Sequence, residues 1–334
     1  MESDRVLITG GAGFIGTHLA QRLVESGLKV IVYDNLSSNN RENVRALQNY
    51  ARLEFVEGDI LDEKLLQKSL TDCGTAVHLA ANRDVRLGSL DTSLDFNQNL
   101  RGTRSVLECI RRTRSCTKLV FASTSTVYGE PKVIPTPEGY GPLKPLSLYG
   151  ASKLGCEAMI SAYSHLFGLT SVICRLSNVV GPRCDHGIIY DLMKKILTGS
   201  RKLEVLGDGT QRKSYLYVDD CIDALASFCG WRQKGLEIFN VGSLDAVEVR
   251  DIVAIIKKVA SVGEEVAENY VDHGDGRGWP GDVKSMLLDC KKIMSLGWSS
   301  KLTSAEAVEA TAQELFSNWR PWESPTAILA STSS

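Results

Sequence analysis

The sequence predicts an α/β chain with a parallel, doubly wound sheet followed by a smaller α/β lobe, and three observations predict it. Short apolar runs alternate with helical patterns through the first half of the 334 residues, as parallel strands joined by crossover helices require. The first run, Val6 to Thr9, passes through glycines at 10, 11, 13 and 16 directly into a helical pattern. Past Asn178 the elements become shorter, less regular and richer in Gly and Asp.

The glycine turn comes first. Gly11, Gly13 and Gly16 satisfy the G-x-G-x-x-G spacing of a dinucleotide-binding loop. The leading glycines permit a sharp turn, Gly13 lets backbone N–H groups approach a pyrophosphate, and Gly16 lets the helix pack closely on the strand. A diphosphate there meets a helix N-terminus, whose unpaired N–H groups and dipole favour an anion. The helix, over 14–26 and closed by Gly27, leads to a second strand over 30–34 that ends in Asp34, eighteen residues beyond Gly16. A carboxylate at that point accepts hydrogen bonds from the adenosine ribose and repels a 2′-phosphate, which favours NAD(H) over NADP(H).

The remaining elements follow in order: a strand over 53–57, a helix over 63–70, a strand over 76–80, a long helix near 92–112, a strand over 118–123, a helix over 152–167 and a strand over 171–176. Helices then cover both faces of a Rossmann-type parallel sheet, and ligands belong at the carboxyl ends of its strands. The polar clusters Asp34-Asn35, Asp59-Ile60, His78 to Arg86, Ser123 to Thr126 and Asn178 all fall there. The cofactor domain is expected over 1–177 and the substrate lobe mainly over 178–322, with helical stretches over 249–259 and 305–319. Since Asn178 continues directly from the sixth strand, no flexible linker is expected and elements are free to interleave. Residues 323–334 carry Pro, Ser and Thr without periodicity and read as a disordered tail.

Composition limits the function. A 43% hydrophobic content supplies packed cores, and 38 basic against 40 acidic residues with no long like-charge run argue against nucleic acid or an anionic membrane as partner. Nine cysteines without a Cys-x-x-Cys pair, among them Cys109, Cys156, Cys174 and Cys221 inside apolar runs, read as small buried hydrophobes in a reducing compartment. The first strand follows the N-terminus at once and no apolar run reaches spanning length, so a cytoplasmic protein is expected. His18, His78, His165, His186 and His273 show no ligand spacing, so no metal is expected; His78 reads as a packed structural residue and His186 as a loop residue.

The chemistry centres on Tyr149 and Lys153. At the start of a helix, positions i and i+4 lie on one face, so phenol and ammonium share an environment. A free tyrosine, with a pKa near ~10, is a poor base at neutral pH, but an adjacent ammonium and an oxidised nicotinamide favour the phenolate. Such a phenolate takes a proton from a sugar hydroxyl while hydride leaves the same carbon. The preceding strand ends in Ser123-Thr124-Ser125-Thr126, whose hydroxyls suit the same substrate oxygen.

With these residues in view, the chain resembles an extended short-chain dehydrogenase/reductase, most closely the UDP-glucose (UDP-galactose) 4-epimerase group, over about residues 4–320. The matching pieces are 8–16, 34–36, 58–60, 78–81, Asn99 with Gly102-Thr103, 125–129, 149–153, Asn178 with Gly181-Pro182-Arg183, and, in the second lobe, 207–210, 215–219 and 280–282. The resemblance implies Thr124, Tyr149 and Lys153 as the catalytic set. It implies Gly10, Gly13, Phe14, Ile15 and Gly16 at the cofactor diphosphate, and Asp34, Asn35 and Ser37 nearby on the cofactor. Asp59 and Ile60 would flank the adenine, Leu79, Ala80, Ala81 and Ser123 would line the cofactor, and Asn99 and Lys153 would contact its nicotinamide half. On the substrate side, Thr124, Ser125, Thr126 and Tyr149 would face the sugar, Asn178, Tyr215 and Asp282 would hold the UDP end, and Ile188, Ile189 and Val205 would complete the wall.

Departures from the family pattern concern the substrate. Lys213 stands where the family has an Arg for the diphosphate, giving charge without a bidentate fork. Trp279 replaces a second Arg, with Arg277 two positions earlier, so either Arg277 reaches in or the grip differs. Met286 stands at the position that lines the hexose pocket, where a bulky Tyr excludes an N-acetyl group. Its intermediate size implies UDP-glucose and UDP-galactose as the main pair with some tolerance of UDP-N-acetylhexosamines. Val85-Arg86 resembles UDP-glucuronate 4-epimerases, so Arg83 and Arg86 either face a C6 carboxylate or are solvated loop residues.

The implied reaction oxidises C4 of the hexose with tightly bound NAD, turns the 4-keto sugar about its diphosphate and returns hydride to the opposite face. A 4,6-dehydratase would share the fold and the Tyr/Lys pair but needs an Asp-Glu pair where Ser125-Thr126 stand; an NADPH-dependent keto-sugar reductase is disfavoured by Asp34; a scaffold protein has no use for the catalytic set. The family also implies a homodimer, paired through helices over 93–112 and 152–167 in a four-helix bundle, with Val106, Leu107, Ile110, Met159, Ile160 and Tyr163 as surplus apolar residues.

Overall fold

Apolar side chains that alternate along each strand decide the architecture, because successive residues of a strand point to opposite faces. In the computed structural model, which describes residues 4–38, 41–272 and 274–319, Val6 and Ile8 face one buried layer and Leu7 the other. Val30 and Val32 oppose Ile31 and Tyr33, and Val172 and Cys174 oppose Ile173, in the same way. Every strand so patterned must be covered twice, which requires helices on both faces.

The chain runs β1 (Arg5–Thr9), α1 (Phe14–Glu25), β2 (Lys29–Asp34), α2 (Arg41–Leu47), β3 (Leu53–Glu57), α3 (Glu63–Leu70) and β4 (Thr75–His78). The short helices α4 (Leu87–Leu90) and α5 (Thr92–Asp95), a π-helical stretch (Phe96–Arg101) and α6 (Gly102–Arg112) follow. Next come β5 (Lys118–Thr124), a 3-10 turn (Ser125–Tyr128), α7 (Leu148–Phe167), β6 (Thr170–Leu176) and β7 (Asn178–Val180). The expected long helix near 92–112 is therefore subdivided, with a wide π stretch at Asn99 where side chains are re-aimed. Helix α7 begins before Tyr149, since Ser147 caps it by accepting from Gly150 N at 3.0 Å. It ends at Gly168 in the left-handed conformation.

The second half comprises α8 (Ile188–Leu197), β8 (Lys202–Leu206), β9 (Arg212–Lys213), β10 (Tyr215–Tyr217), α9 (Val218–Cys229), β11 (Leu236–Val241) and β12 (Val247–Glu248). It closes with α10 (Val249–Val259), β13 (Ala267–Val271), β14 (Ser285–Met286), α11 (Lys291–Met294) and α12 (Ser304–Asn318). The main sheet has seven strands in the order β11-β6-β5-β4-β1-β2-β3, all in parallel pairs. Strand order reverses between β1 and β4, which opens a crevice at their carboxyl ends. The chain thus returns to the large sheet after Asn178: β11 pairs with β6, and α9 supplies Cys221, Ile222, Leu225 and Phe228 to the same core as α1. The sequence leaves such interleaving open, and the main sheet is not confined to residues 1–177.

A third apolar cluster, from α8, β8, α10 and α12, forms the smaller lobe around Leu192, Met193, Ile252, Val253, Ile256 and Val308. Truncating a fully buried leucine such as Leu7 to Ala is expected to cost about 2–5 kcal/mol. One expectation is corrected here. Val106, Leu107, Ile110 and Ile160 are not surplus to the fold but buried in the core between α3, α6, α7 and the sheet, with Met159 and Tyr163 packed against them. Eight of the nine cysteines are buried and Cys229 is half-buried, all as free thiols. Among the described residues no helix is long and apolar enough to cross a membrane. The expected tail and His273 lie outside the described residues.

Candidate active site

At the reversal between β1 and β4, a cavity of about 990 Å³ opens along the strand ends, at the upper end of the range for ligand sites. Its floor is the glycine turn. Gly10 has a positive φ of 67°, and a Cβ there would lie 2.6 Å from Ala80 N. A Cβ on Gly16 would lie 2.3 Å from the Gly10 carbonyl oxygen. The glycines therefore let β1, α1 and the loop after β4 approach each other. No side chain caps α1, and its first turn holds no acid, so its leading N–H groups face the cavity with no carboxylate competing for them. Gly13, Phe14, Ile15 and Gly16 line this end.

Asp34, at the end of β2, accepts from Ala12 N at 3.1 Å and Leu36 N at 2.8 Å. Burial raises its carboxyl, and the two N–H bonds oppose the rise. Asn35 donates to Asp59 at 2.9 Å and Tyr33 donates to the Asp59 carbonyl at 2.8 Å, which fixes Asp59 and Ile60 beside Asp34 at the ends of β2 and β3. Asn35, Ser37, Leu79, Ala80 and Ala81 also line the cavity. A cradle that any Cβ would fill, an uncapped helix and a carboxylate at the second strand end together fit a dinucleotide.

Further along, Tyr149, Lys153, Thr124, Ser125 and Thr126 share the wall. Lys153, on α7, donates to the Ala122 carbonyl at 2.8 Å, and its Nζ lies 4.7 Å from the Phe121 ring centre and 5.9 Å from that of Tyr149. Burial lowers the ammonium to about 8, against the raising effect of Cys156, Glu157 and Asp95. The expected lowering of the Tyr149 phenol does not appear in the protein alone. Burial pushes the phenol up, followed by the negative charge of Asp95, because desolvation of a phenolate outweighs an ammonium turned toward a carbonyl. Thr124 Oγ1 accepts from Thr126 N at 3.1 Å and lies 3.1 Å from Thr126 Oγ1.

Two residues differ from expectation, and a third is one for which the sequence leaves two alternatives open. Ser123 lines the cavity, but its hydroxyl donates inward to Glu157 at 2.5 Å, so its backbone rather than its hydroxyl faces the cavity. Asn99 is buried and does not line the cavity: its amide donates to Asp95 and Ser152 and its oxygen accepts from Asn82 N. It braces the wall. Arg277 is likewise outside the lining; it pairs with Glu130 at 2.5 Å and Asp275 at 2.9 Å and donates to the Asp282 carbonyl at 2.6 Å.

The substrate end is assembled by small sheets. Asn178 pairs in register with Tyr215 and Lys213 with Met286, which brings residues far apart in sequence into one wall with Ile188, Ile189 and Val205. Lys213 forms an ion pair with Asp282, whose second oxygen accepts from Gly278 N at 3.2 Å. Trp279 lines the cavity too, and Gly281 leaves room for its ring, since a Cβ would lie 2.2 Å from it. At the mouth, Arg83 pairs with Asp185 at 2.5 Å and Arg86 with Asp84 at 3.3 Å. His78 is the packed residue expected: buried between Thr9 at 2.7 Å and Thr103 at 3.1 Å, it is lowered to about 3 by burial and Lys153.

Sequence reading missed several residues. Arg183 lines the cavity and donates to Asn43 at 3.2 Å, whose amide in turn donates to Ala12 in the glycine turn. The Gly181-Pro182-Arg183 match was its signal. The buried Glu157–Arg175 pair, at 2.7 Å behind β5, had none.

A family model described as GDP-mannose 4,6 dehydratase matches residues 7–311. This chain belongs to that family of extended short-chain dehydrogenases/reductases. It is 32% identical over 319 residues to a UDP-glucose 4-epimerase of Mycolicibacterium smegmatis, covering 94% of this chain and 99% of that protein. A crystal structure of a UDP-galactose 4-epimerase is 41% identical, with a TM-score of 0.83 over 94% of this chain and all of that one. A dTDP-glucose 4,6-dehydratase from Streptomyces venezuelae with NAD and TYD bound is 29% identical, with a TM-score of 0.87 over 95% of this chain and 99% of that one. The chain is an enzyme of this nucleotide-sugar epimerase and dehydratase family.

Proposed function

We propose that the chain is an NAD-dependent 4-epimerase of UDP-hexoses, with UDP-glucose and UDP-galactose as its main pair and some tolerance of UDP-N-acetylhexosamines. One observation carries the choice over a dehydratase. Elimination of water needs an acid and a base beside the sugar, yet the residues that follow the end of β5 are Ser125 and Thr126, with neither carboxylate.

Held by the glycine turn and Asp34, bound NAD would supply a reversible hydride acceptor for C4. Tyr149, as phenolate, takes the C4 hydroxyl proton and gives it back to the oxygen of the opposite epimer. Thr124 holds that oxygen through its hydroxyl. Lys153 contributes its positive charge near the phenolate while protonated. Lys213 supplies the positive charge for the diphosphate while Asn178, Tyr215 and Asp282 hold the UDP end, so the sugar ring is the part free to turn.

A neutral hexose is favoured over a uronic acid because a C6 carboxylate would have to displace Asp185 from Arg83 or Asp84 from Arg86, which a neutral C6 hydroxymethyl group need not do. The assembly is a homodimer, with α6 and α7 at its interface, and light scattering at micromolar concentration reads its mass. A panel of UDP-hexoses with product detection by proton NMR tests the activity. We expect glucose and galactose to interconvert, with Tyr149→Phe and Lys153→Ala folded but inactive and Thr124→Val slower than Thr124→Ser. Turnover in Tyr149→Phe would overturn the base. A preference for UDP-glucuronate that collapses in Arg86→Leu would overturn the substrate.

A further inference from the structure

Behind the catalytic wall lies a carboxylate that the reaction above does not use. Asp95 is buried at the end of α5. Its Oδ1 accepts from Asn82 Nδ2 at 2.9 Å and Asn99 Nδ2 at 3.1 Å. Its Oδ2 has no hydrogen-bond partner among the described residues and lies against Gly88, where a Cβ would come within 2.0 Å of it. The glycine in α4 thus makes the space that this oxygen occupies.

The two amides carry the contact to the site. Asn99 also donates to Ser152 Oγ at 2.9 Å, and Ser152 donates to the Tyr149 carbonyl at 2.7 Å, in the first turn of α7. Asn82 follows Ala80 and Ala81 on the cofactor wall, and its backbone N–H donates to Asn99 at 2.8 Å. One buried carboxylate therefore ties the cofactor wall, the π stretch and the catalytic turn together. Removing either donor would leave buried polar groups unpaired, a costly arrangement.

We propose that Asp95 is a positioning residue that both holds the Tyr149 turn against the cofactor wall and sets the electrostatic field around Tyr149 and Lys153. This rests on Tyr149 being the base. The charged and titratable groups around the pair come from several elements: Asp95 from α5, Cys156 and Glu157 from α7 itself, and His78 from β4. His78 is neutral above about pH 3, Cys156 is held up as a thiol by burial, and Glu157 is taken by Arg175. Burial raises the Asp95 carboxyl itself, against the hydrogen bonds from Asn82 and Asn99, and its negative charge acts on both catalytic groups. Its charge holds the phenol up and the ammonium up together. The site gains a protonated Lys153 at the expense of a less acidic Tyr149.

The pH profile of kcat/KM in Asp95→Asn tests this, with the wild type and Tyr149→Phe alongside. We expect both limbs to move to lower pH by about one unit, as for loss of a near charge, with kcat reduced. Ser152→Ala cuts the tie to Tyr149 but keeps the charge, so kcat should fall several-fold with KM and both limbs unmoved. Unmoved limbs in Asp95→Asn would overturn the proposal. Should that variant fail to fold, wild-type kcat in Ser152→Ala overturns it instead. Activity in Tyr149→Phe would strike the base assignment itself, a result separable from either.

Discussion

The two ends of the cavity are built on opposite plans. The cofactor end is made of backbone: glycines at 10, 13 and 16, an uncapped helix and strand ends, with Asp34 its principal charge. The substrate end is made of side chains, apolar ones among charged ones that pair with one another, Lys213 with Asp282 and Arg83 with Asp185. A backbone cradle is fixed by the fold and needs no rearrangement to receive a diphosphate. Paired side chains must exchange partners when a diphosphate arrives, so binding there competes with contacts already made. The first end is rigid and generic, and the second is where selectivity is set.

The largest effect should come from the rigid end. Gly16→Ala drives a Cβ into the Gly10 carbonyl and the Gly11 backbone, neither of which is a movable side-chain tip. We expect a loss of about 2–3 kcal/mol of unfolding free energy, in the range for overpacking, together with loss of bound dinucleotide in the spectrum of the purified protein. Normal stability with full cofactor content would break the contrast between the two ends.

Lys213→Ala should act on the other end alone. A charged hydrogen bond to a phosphate is worth about 1.5–3 kcal/mol, so KM for the UDP-sugar should rise roughly 10- to 150-fold while cofactor content holds. Loss of cofactor instead would show the two ends to be one site. Lys213→Arg should recover most of the affinity, since the charge is retained.

The pH dependence of stability sharpens the picture of the rigid end. His78 is lowered from 6.5 to about 3, so between those values the unfolded chain binds a proton that the folded one does not. Stability therefore rises with pH across that window and is lost as pH falls, by up to ~1.4 kcal/mol per unit. In His78→Gln, urea unfolding from about pH 6 to pH 4 should show a shallower fall; an unchanged slope would remove His78 as its source. The smallest effect belongs to Arg83→Ala. Its ion pair with Asp185 is part-exposed at the mouth, worth at most ~1 kcal/mol, and rates with a neutral hexose should stay within about five-fold of wild type.

The same contrast explains what the sequence made legible. A glycine turn, an acid at the end of the next strand and Tyr149 four residues before Lys153 are local patterns, and each landed on the cavity. Residues at the substrate end are joined only by register: nothing local says that Lys213 lies beside Met286 or Asn178 beside Tyr215. Family resemblance supplied those positions. It misled at Asn99, whose own neighbours Asp95 and Ser152 decide where it points; at Arg277, which the sequence left open, Glu130 and Asp275 hold the side chain outside the lining. Val106, Leu107 and Ile110 read as surplus apolar residues because periodicity counts stripes on one helix and cannot see that α6 packs on the sheet and on α3 and α7 at once.

The measurement closest to the central claim is turnover of UDP-glucose in deuterium oxide with product analysis by NMR. Elimination of water across C5 and C6 must remove the C5 proton and admit one from solvent, whereas epimerisation returns the same hydride to C4 and exchanges only the hydroxyl. The account predicts UDP-galactose with no deuterium on any ring carbon. A 4-keto-6-deoxy product carrying deuterium at C5 would contradict it.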